Sequence, residues 1–228
     1  MPTLKIRTVS WLLASLLLVS ILPAWGAEKS KDEETIQNAA AVLQAMLDSK
    51  AVPANLLVTA NCIVVLPGVK KFAVGVGGTG GRGPMICRKD KNFSGDEWSA
   101  PAMYTIGGAS AGLQLGGSST DVVLLIMSPS AVNKVLAGNI KVGTDLTAAA
   151  GPGATSTASV GGADILTYGR AKGLFAGISL NGASLEPDSS ADQRLYGKAV
   201  SAREIVVDNA AKPTPAGQSL ISLLEKRG

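Results

Sequence analysis

Apolar residues recur at helical spacing early in the chain and then give way to short β-like runs cut by glycine. From Thr35 to Ser49, the residues Ile36, Ala39, Ala40, Leu43, Met46 and Leu47 share one helical face, which predicts an amphipathic helix. Asp32, Glu33 and Glu34 suit its N-terminal end through the helix dipole. Pro53 opens a second, shorter helix over PANLLVTA, because proline fits the first helical turn. The run ANCIVVLPG is rich in β-branched residues and bounded by Pro67 and Gly68, so it predicts a strand. Further strands are expected near residues 72–77, 84–88, 104–115, 122–127, 143–149, 154–158, 165–170 and 174–180. Ser128-Pro129-Ser130 signals a short helix through Leu136, and Thr214-Pro215 repeats the signal before Leu220, Leu223 and Leu224. The stretch YGKAVSAREIV, from Tyr196 to Val206, reads as one more short helix.

Glycine changes this picture from a list of strands into a shape. Two glycine-rich apolar segments, FAVGVGGTGGRGPMIC and YTIGGASAGLQLGG, flank the turn Trp98-Ser99-Ala100-Pro101. Glycine within an apolar run marks a bend, a bulge or a close backbone approach. With helices near the N-terminus, mid-chain and at the C-terminus, the expectation is an α+β fold. Its centre is a strongly curved, glycine-rich antiparallel β-sheet or open barrel. Gly107, Gly108 and Gly112 are the glycines expected to be irreplaceable.

Charge and cysteine bound the function. Lys5 and Arg7, the apolar run Val9 to Leu22, and Ala24-Trp25-Gly26 together read as a secretory leader, with residues 1–26 removed. Residues 27–228 then form one domain. Removing Lys5 and Arg7 leaves 19 basic against 17 acidic residues, too small an excess for a nucleic-acid-binding protein. The N-terminus left behind is acidic, which opposes docking on anionic lipid. The two cysteines, Cys62 and Cys87, sit in β-like runs. They face each other as a disulfide in an exported protein, or they are two small buried hydrophobes. With no histidine, the usual general base and the commonest transition-metal ligand are missing. Catalysis is not expected, and no cofactor is called for.

An ordered set of motifs then resembles a known family. Pro53 and Ala60 come first, followed by Gly75, Gly80, Gly81-Arg82-Gly83 and Trp98-Ser99-Ala100-Pro101. Next are Gly107-Gly108, Gly112, Gln114, Gly116, Asp121 before VVLLIM, and Gly151-Pro152-Gly153. Tyr168 to Gly182, YGRAKGLFAGISLNG, and Tyr196-Gly197 close the series. Over residues 33–208 the chain resembles the SYLF, or actin-binding-type, domain. The resemblance implies binding to phosphoinositide-like or other anionic phospholipid membranes. The leader looks like that of an exported bacterial branch, in the periplasm, associated with the envelope, or secreted. The alternative expectation is an envelope interaction protein that binds a protein partner through a sheet edge.

The candidate headgroup site is the basic cluster Lys70, Lys71, Arg82, Arg88, Lys89 and Lys91, six cations within 22 residues. Cations beside an anionic membrane attract its phosphates. Arg82 lies between glycines, so its guanidinium and nearby backbone N–H groups could meet one phosphate together. Residues 75–80 match G-x-G-x-x-G by letter, but Arg82-Gly83-Pro84 follows where a dinucleotide site needs a helix. Phe93, Trp98 and Tyr104 could enter a membrane interface; packing onto the core is the favoured reading for Trp98. Asp145 and Asp164 could pair as carboxylates, though turn and cap roles explain aspartate at such positions.

Overall fold

The computed structural model describes residues 24–74, 76–111, 116–151, 162–171, 173–180 and 182–226. The helices are α1 (Ala24–Ser49), α2 (Ala54–Thr59), α3 (Pro129–Ala137), α4 (Ser189–Tyr196), α5 (Ala202–Val206) and α6 (Pro215–Glu225). The strands are β1 (Cys62–Val74), β2 (Val76–Cys87), β3 (Ala102–Ala111), β4 (Gly116–Ile126), β5 (Ile140–Lys141), β6 (Ala148–Ala150), β7 (Ile165–Ala171), β8 (Leu174–Gly177) and β9 (Ser184–Pro187). They form one strongly curled, open half-barrel sheet in the order β5-β9-β3-β2-β1-β4-β7-β6, with β8 beside β7. The fold is α+β, as the pattern predicts. The sheet is antiparallel except where β6 runs parallel to β7. The expected strand at 154–158, together with Gly112, Gln114, Pro152, Gly153 and Lys172, lies outside the described residues.

Both faces are buried at the centre of the sheet. Cys62, Val64 and Leu66 of β1 and Val122, Leu124 and Ile126 of β4 point into a core closed by α3 and α5. Ile63, Val65, Val123 and Leu125, one residue out of phase, point into a second core under α1, α4 and α6. Successive residues of a strand face opposite ways. Two buried faces therefore demand the unbroken runs CIVVL and VVLLI that the sequence carries. The helix caps follow the sequence signals. Ser128 accepts from the N–H of Ala131, and Thr214 from that of Gly217, each with proline at the first turn.

Pro67 and Gly68 do not end β1, as their turn chemistry predicts. They sit inside it as a bulge. The register slips by one residue against both β2 and β4 at this point, and Gly68 takes a positive φ of 59°. Proline within a sheet is confined to such places because it cannot donate to the ladder. The side chain of Asp121 on β4 accepts from the freed N–H of Gly68 at 2.9 Å and holds Arg170 Nε at 2.7 Å. The segment expected as one helix from Tyr196 is instead α4, a left-handed Gly197, and α5.

Cys62 and Cys87 face each other across β1 and β2 and form a disulfide. The bridge closes a loop of 25 residues, worth about 3 kcal/mol in the chain-entropy account. Protein from its native cell should resist alkylation under denaturing conditions until reductant is added. Its intact mass should begin at Ala27 if the leader is cut. Two thiols reactive before reduction would show the bridge absent there.

Candidate functional site

The six sequence-clustered cations are not one cluster in space. Strands rise about 3.3 Å per residue, so the level of Lys70 and that of Arg88 stand roughly 25 Å apart along β2. Lys70 is paired with Gly80, and Cys87 ends the strand opposite Cys62. Lys70, Lys71 and Arg82 therefore belong to one end of the hairpin, and Arg88, Lys89 and Lys91 to the other.

At the far end, Arg88 is 8% exposed. Its guanidinium donates to the carbonyls of Ala60, Gly95 and Val58 and lies 4.5 Å over the ring of Trp98. Burial lowers its pKa, with Asp96 opposing. Arg88 is thus occupied in holding the loop after β2 against the start of β1. Trp98, Phe93 and Tyr104 are all buried, so they lie in the core and not at a membrane interface. Lys89 pairs with Glu97 at 3.0 Å, and Lys91 is exposed beside the turn that Asp90 closes.

At the near end, Lys70 and Lys71 are exposed and lie just past the bulge. Among the described residues neither makes an ion pair with Asp or Glu. Lys70 shares with Arg82 a shallow, open concavity of about 370 Å³, lined also by Pro67, Gly68, Gly80, Gly81 and Thr105. The bulge and the glycines make this hollow, because no side chain fills the space above Gly80. Lys71, next in the strand, turns to the opposite face. Beyond it β1 continues as the apolar Phe72-Ala73-Val74.

Arg82 is not free. Its guanidinium binds the carboxylate of Asp32 on α1, and Asp188 lies 4.0 Å away. Asp32 is fully buried and also takes Arg194 of α4, at 2.8 Å to Nε and 3.3 Å to a terminal nitrogen. Helix α1, strand β2 and helix α4 thus meet at one carboxylate. Neither Asp32 nor Arg194 stands near Arg82 in sequence, so no local spacing singled them out. Asp145 and Asp164 serve backbone and hydroxyl groups in turns and caps, accepting from Lys141 N–H and Thr147 N–H. No group of metal-ligating side chains forms among the described residues. Of the residues matching the glycine pattern, 76–80 lie in β2 and lead on into strand and not helix, so the described glycines there belong to a hairpin.

The fold and this surface define a curled, glycine-rich α+β domain carrying a basic hollow beside the central β1–β2 hairpin. The chain belongs to the SYLF, or Ysc84, family: the family described as "Ysc84: Las17-binding protein actin regulator" matches residues 107–227. It is similar to an SH3 domain-containing protein of Schizosaccharomyces pombe, with 34% identity over 174 residues, 73% of this chain and 39% of that protein. LAS seventeen-binding protein 3 of Saccharomyces cerevisiae is 29% identical over 78% of this chain and 39% of its own length. SH3 domain-containing YSC84-like protein 1 of Homo sapiens is 29% identical over 77% of this chain and 51% of its own. The chain thus spans about two-fifths to half of these relatives. Among the described residues no helix is long and apolar enough to cross a membrane.

Proposed function

We propose that this domain is an exported, non-catalytic lipid-binding module that docks on anionic phospholipid headgroups. The observation that carries the reading is the exposed pair Lys70 and Lys71 in the turn-side half of the β1–β2 hairpin. One lysine projects on each face of the ribbon, and the strand beyond them is apolar. A hairpin approaching a bilayer end-on would set both cations among the phosphates, with the hollow beside Lys70 open to a headgroup. Arg88 and Lys89 drop out of the proposed site because each is engaged within the protein.

Lys70→Gln/Lys71→Gln should weaken binding to anionic vesicles roughly thirtyfold, at about 1 kcal/mol per surface cation. Wild-type binding should fall as salt rises, since exposed charges are screened within about 8–10 Å near physiological ionic strength. Vesicle sedimentation with purified protein checks both. A folded double variant that sediments like wild type would overturn the site.

A second reading, a protein partner, is favoured by Leu174, which is 73% exposed at the β7–β8 turn. Relatives whose names include Las17 binding point the same way. Sheet-edge pairing suits it less well than a side-chain contact. The ends of the strand order, β5 and β6, are only two and three residues long, and short edges pair poorly. Vesicle binding by the pure chain needs no partner and separates the readings.

A further inference from the structure

We propose that Arg82 and Arg194 form a phosphate-binding site that the first turns of α1 occupy in this structure, Asp32 standing where the ligand's anionic oxygens would lie. The ligand class is a phosphate or phosphomonoester, and the lipid source of that phosphate rests on the docking reading above.

The geometry is that of an anion site. Two guanidinium groups, from strand β2 and helix α4, converge on the two oxygens of one carboxylate that is wholly buried. Arginine forks of this kind match carboxylate and phosphate alike. The site opens toward the basic hollow, because Arg82 lines both. Its carboxylate lies directly after an exposed turn of α1 and is anchored by its own ion pairs and by the neighbouring Glu33, which accepts from Thr214 at the start of α6 at 3.0 Å. Glu28, Lys29, Ser30 and Lys31 are exposed, whereas the apolar packing of α1 begins at Ile36. Glu28 adds a second acidic contact, 3.8 Å from Arg194 Nε.

Charge says what uncovering would do. With α1 in place, Arg82 and Arg194 face three carboxylates, Asp32, Glu28 and Asp188. When the turn bearing Glu28 and Asp32 frays, only Asp188 remains beside the two guanidinium groups, which lose two carboxylate contacts. An acidic helix start that opposes anionic lipid thus acts as a plug over the residues that would bind it. Cutting after Gly26 would leave the plug intact, since both carboxylates lie beyond that point.

The test uses the full chain with Glu28→Gln/Asp32→Asn. Its affinity for phosphatidylcholine vesicles doped with phosphatidic acid, whose headgroup is a phosphomonoester, should rise about fivefold to thirtyfold, one or two freed surface cations' worth. Adding Arg194→Gln should remove the gain. A folded double variant that binds no tighter, or a gain that survives Arg194→Gln, overturns the proposal while leaving the Lys70–Lys71 reading intact. Titration with inorganic phosphate separates the ligand sources. A gain for phosphate without one for vesicles keeps the anion site and refutes the lipid source. Binding of neither probe by any variant overturns both. Should the double variant fail to fold, hydrogen exchange on the wild type decides. The amides of residues 28–34 should exchange faster with anionic vesicles present, and unchanged exchange overturns the plug.

Discussion

Gly83→Val should be the most damaging single substitution considered for this chain, at about 4 kcal/mol or more, the range reserved for a named structural cause. The cause is backbone. A Cβ built on Gly83 lies 1.9 Å from the carbonyl oxygen of Val65 and 3.0 Å from Cδ of Pro67, both on β1 at the bulge. β2 closes on the bulged strand only because residue 83 has no side chain. Neither atom belongs to a flexible side chain that could swing away, so the central pair of strands would have to part. For a domain of this size about 4 kcal/mol corresponds to a fall of roughly 10 °C in melting temperature. Gly80→Ala is the control, because its Cβ meets nothing within 4 Å. Gly108, expected from sequence to be irreplaceable, is also lenient, its nearest neighbour being the Ala183 backbone at 3.4 Å. Should Gly83→Ala, a milder version for the case where the valine variant does not fold, melt with Gly80→Ala, the close approach would be refuted.

Stability should also fall as pH rises from 5 to 8, and Asp192→Asn should largely abolish that fall. Asp192 on α4 is fully buried. One oxygen accepts from the Met103 N–H at 2.8 Å, and the other has no hydrogen-bond partner among the described residues. Burial pushes its pKa up to about 7, with the neighbouring Asp188 charge adding to the shift and the Met103 hydrogen bond opposing it. A carboxyl with a raised folded-state pKa prefers to be protonated when folded. Its contribution is therefore complete below about pH 4, where the unfolded group is also protonated, and is lost as pH rises toward 7. The shift corresponds to at most about 4 kcal/mol. The window is clean because the chain has no histidine to titrate within it. Thermal melts of both proteins at pH 5 and pH 8 provide the comparison. Parallel losses in wild type and variant would place the titrating group elsewhere.

Much of the secondary structure was legible because its causes are local. The apolar stripe of α1, the Ser-Pro and Thr-Pro starts of α3 and α6, and the unbroken runs CIVVL and VVLLI all act within a few residues. The runs also carried the curvature argument, since glycine at such density rarely serves a flat sheet. Other features depend on partners far away in the chain. Whether Pro67-Gly68 ends a strand or bulges within it is settled by β4, whose Asp121 satisfies the freed N–H. Helix α4 has few apolar residues and no strong period. It is fixed by docking, through Asp188 and Asp192, on the backbone of Met103.

The basic cluster shows the division most plainly. Its six charges and their chain spacing are properties of sequence, but a strand spreads neighbours along its length and turns alternate residues to opposite faces. Burial then drew Arg88 onto the carbonyls of Ala60, Gly95 and Val58, and the fold carried Asp32 to Arg82 across 50 residues and Arg194 to Asp32 across 162. A charge is a local fact, whereas its partner and its exposure are set by whatever the folded chain brings within a few ångströms.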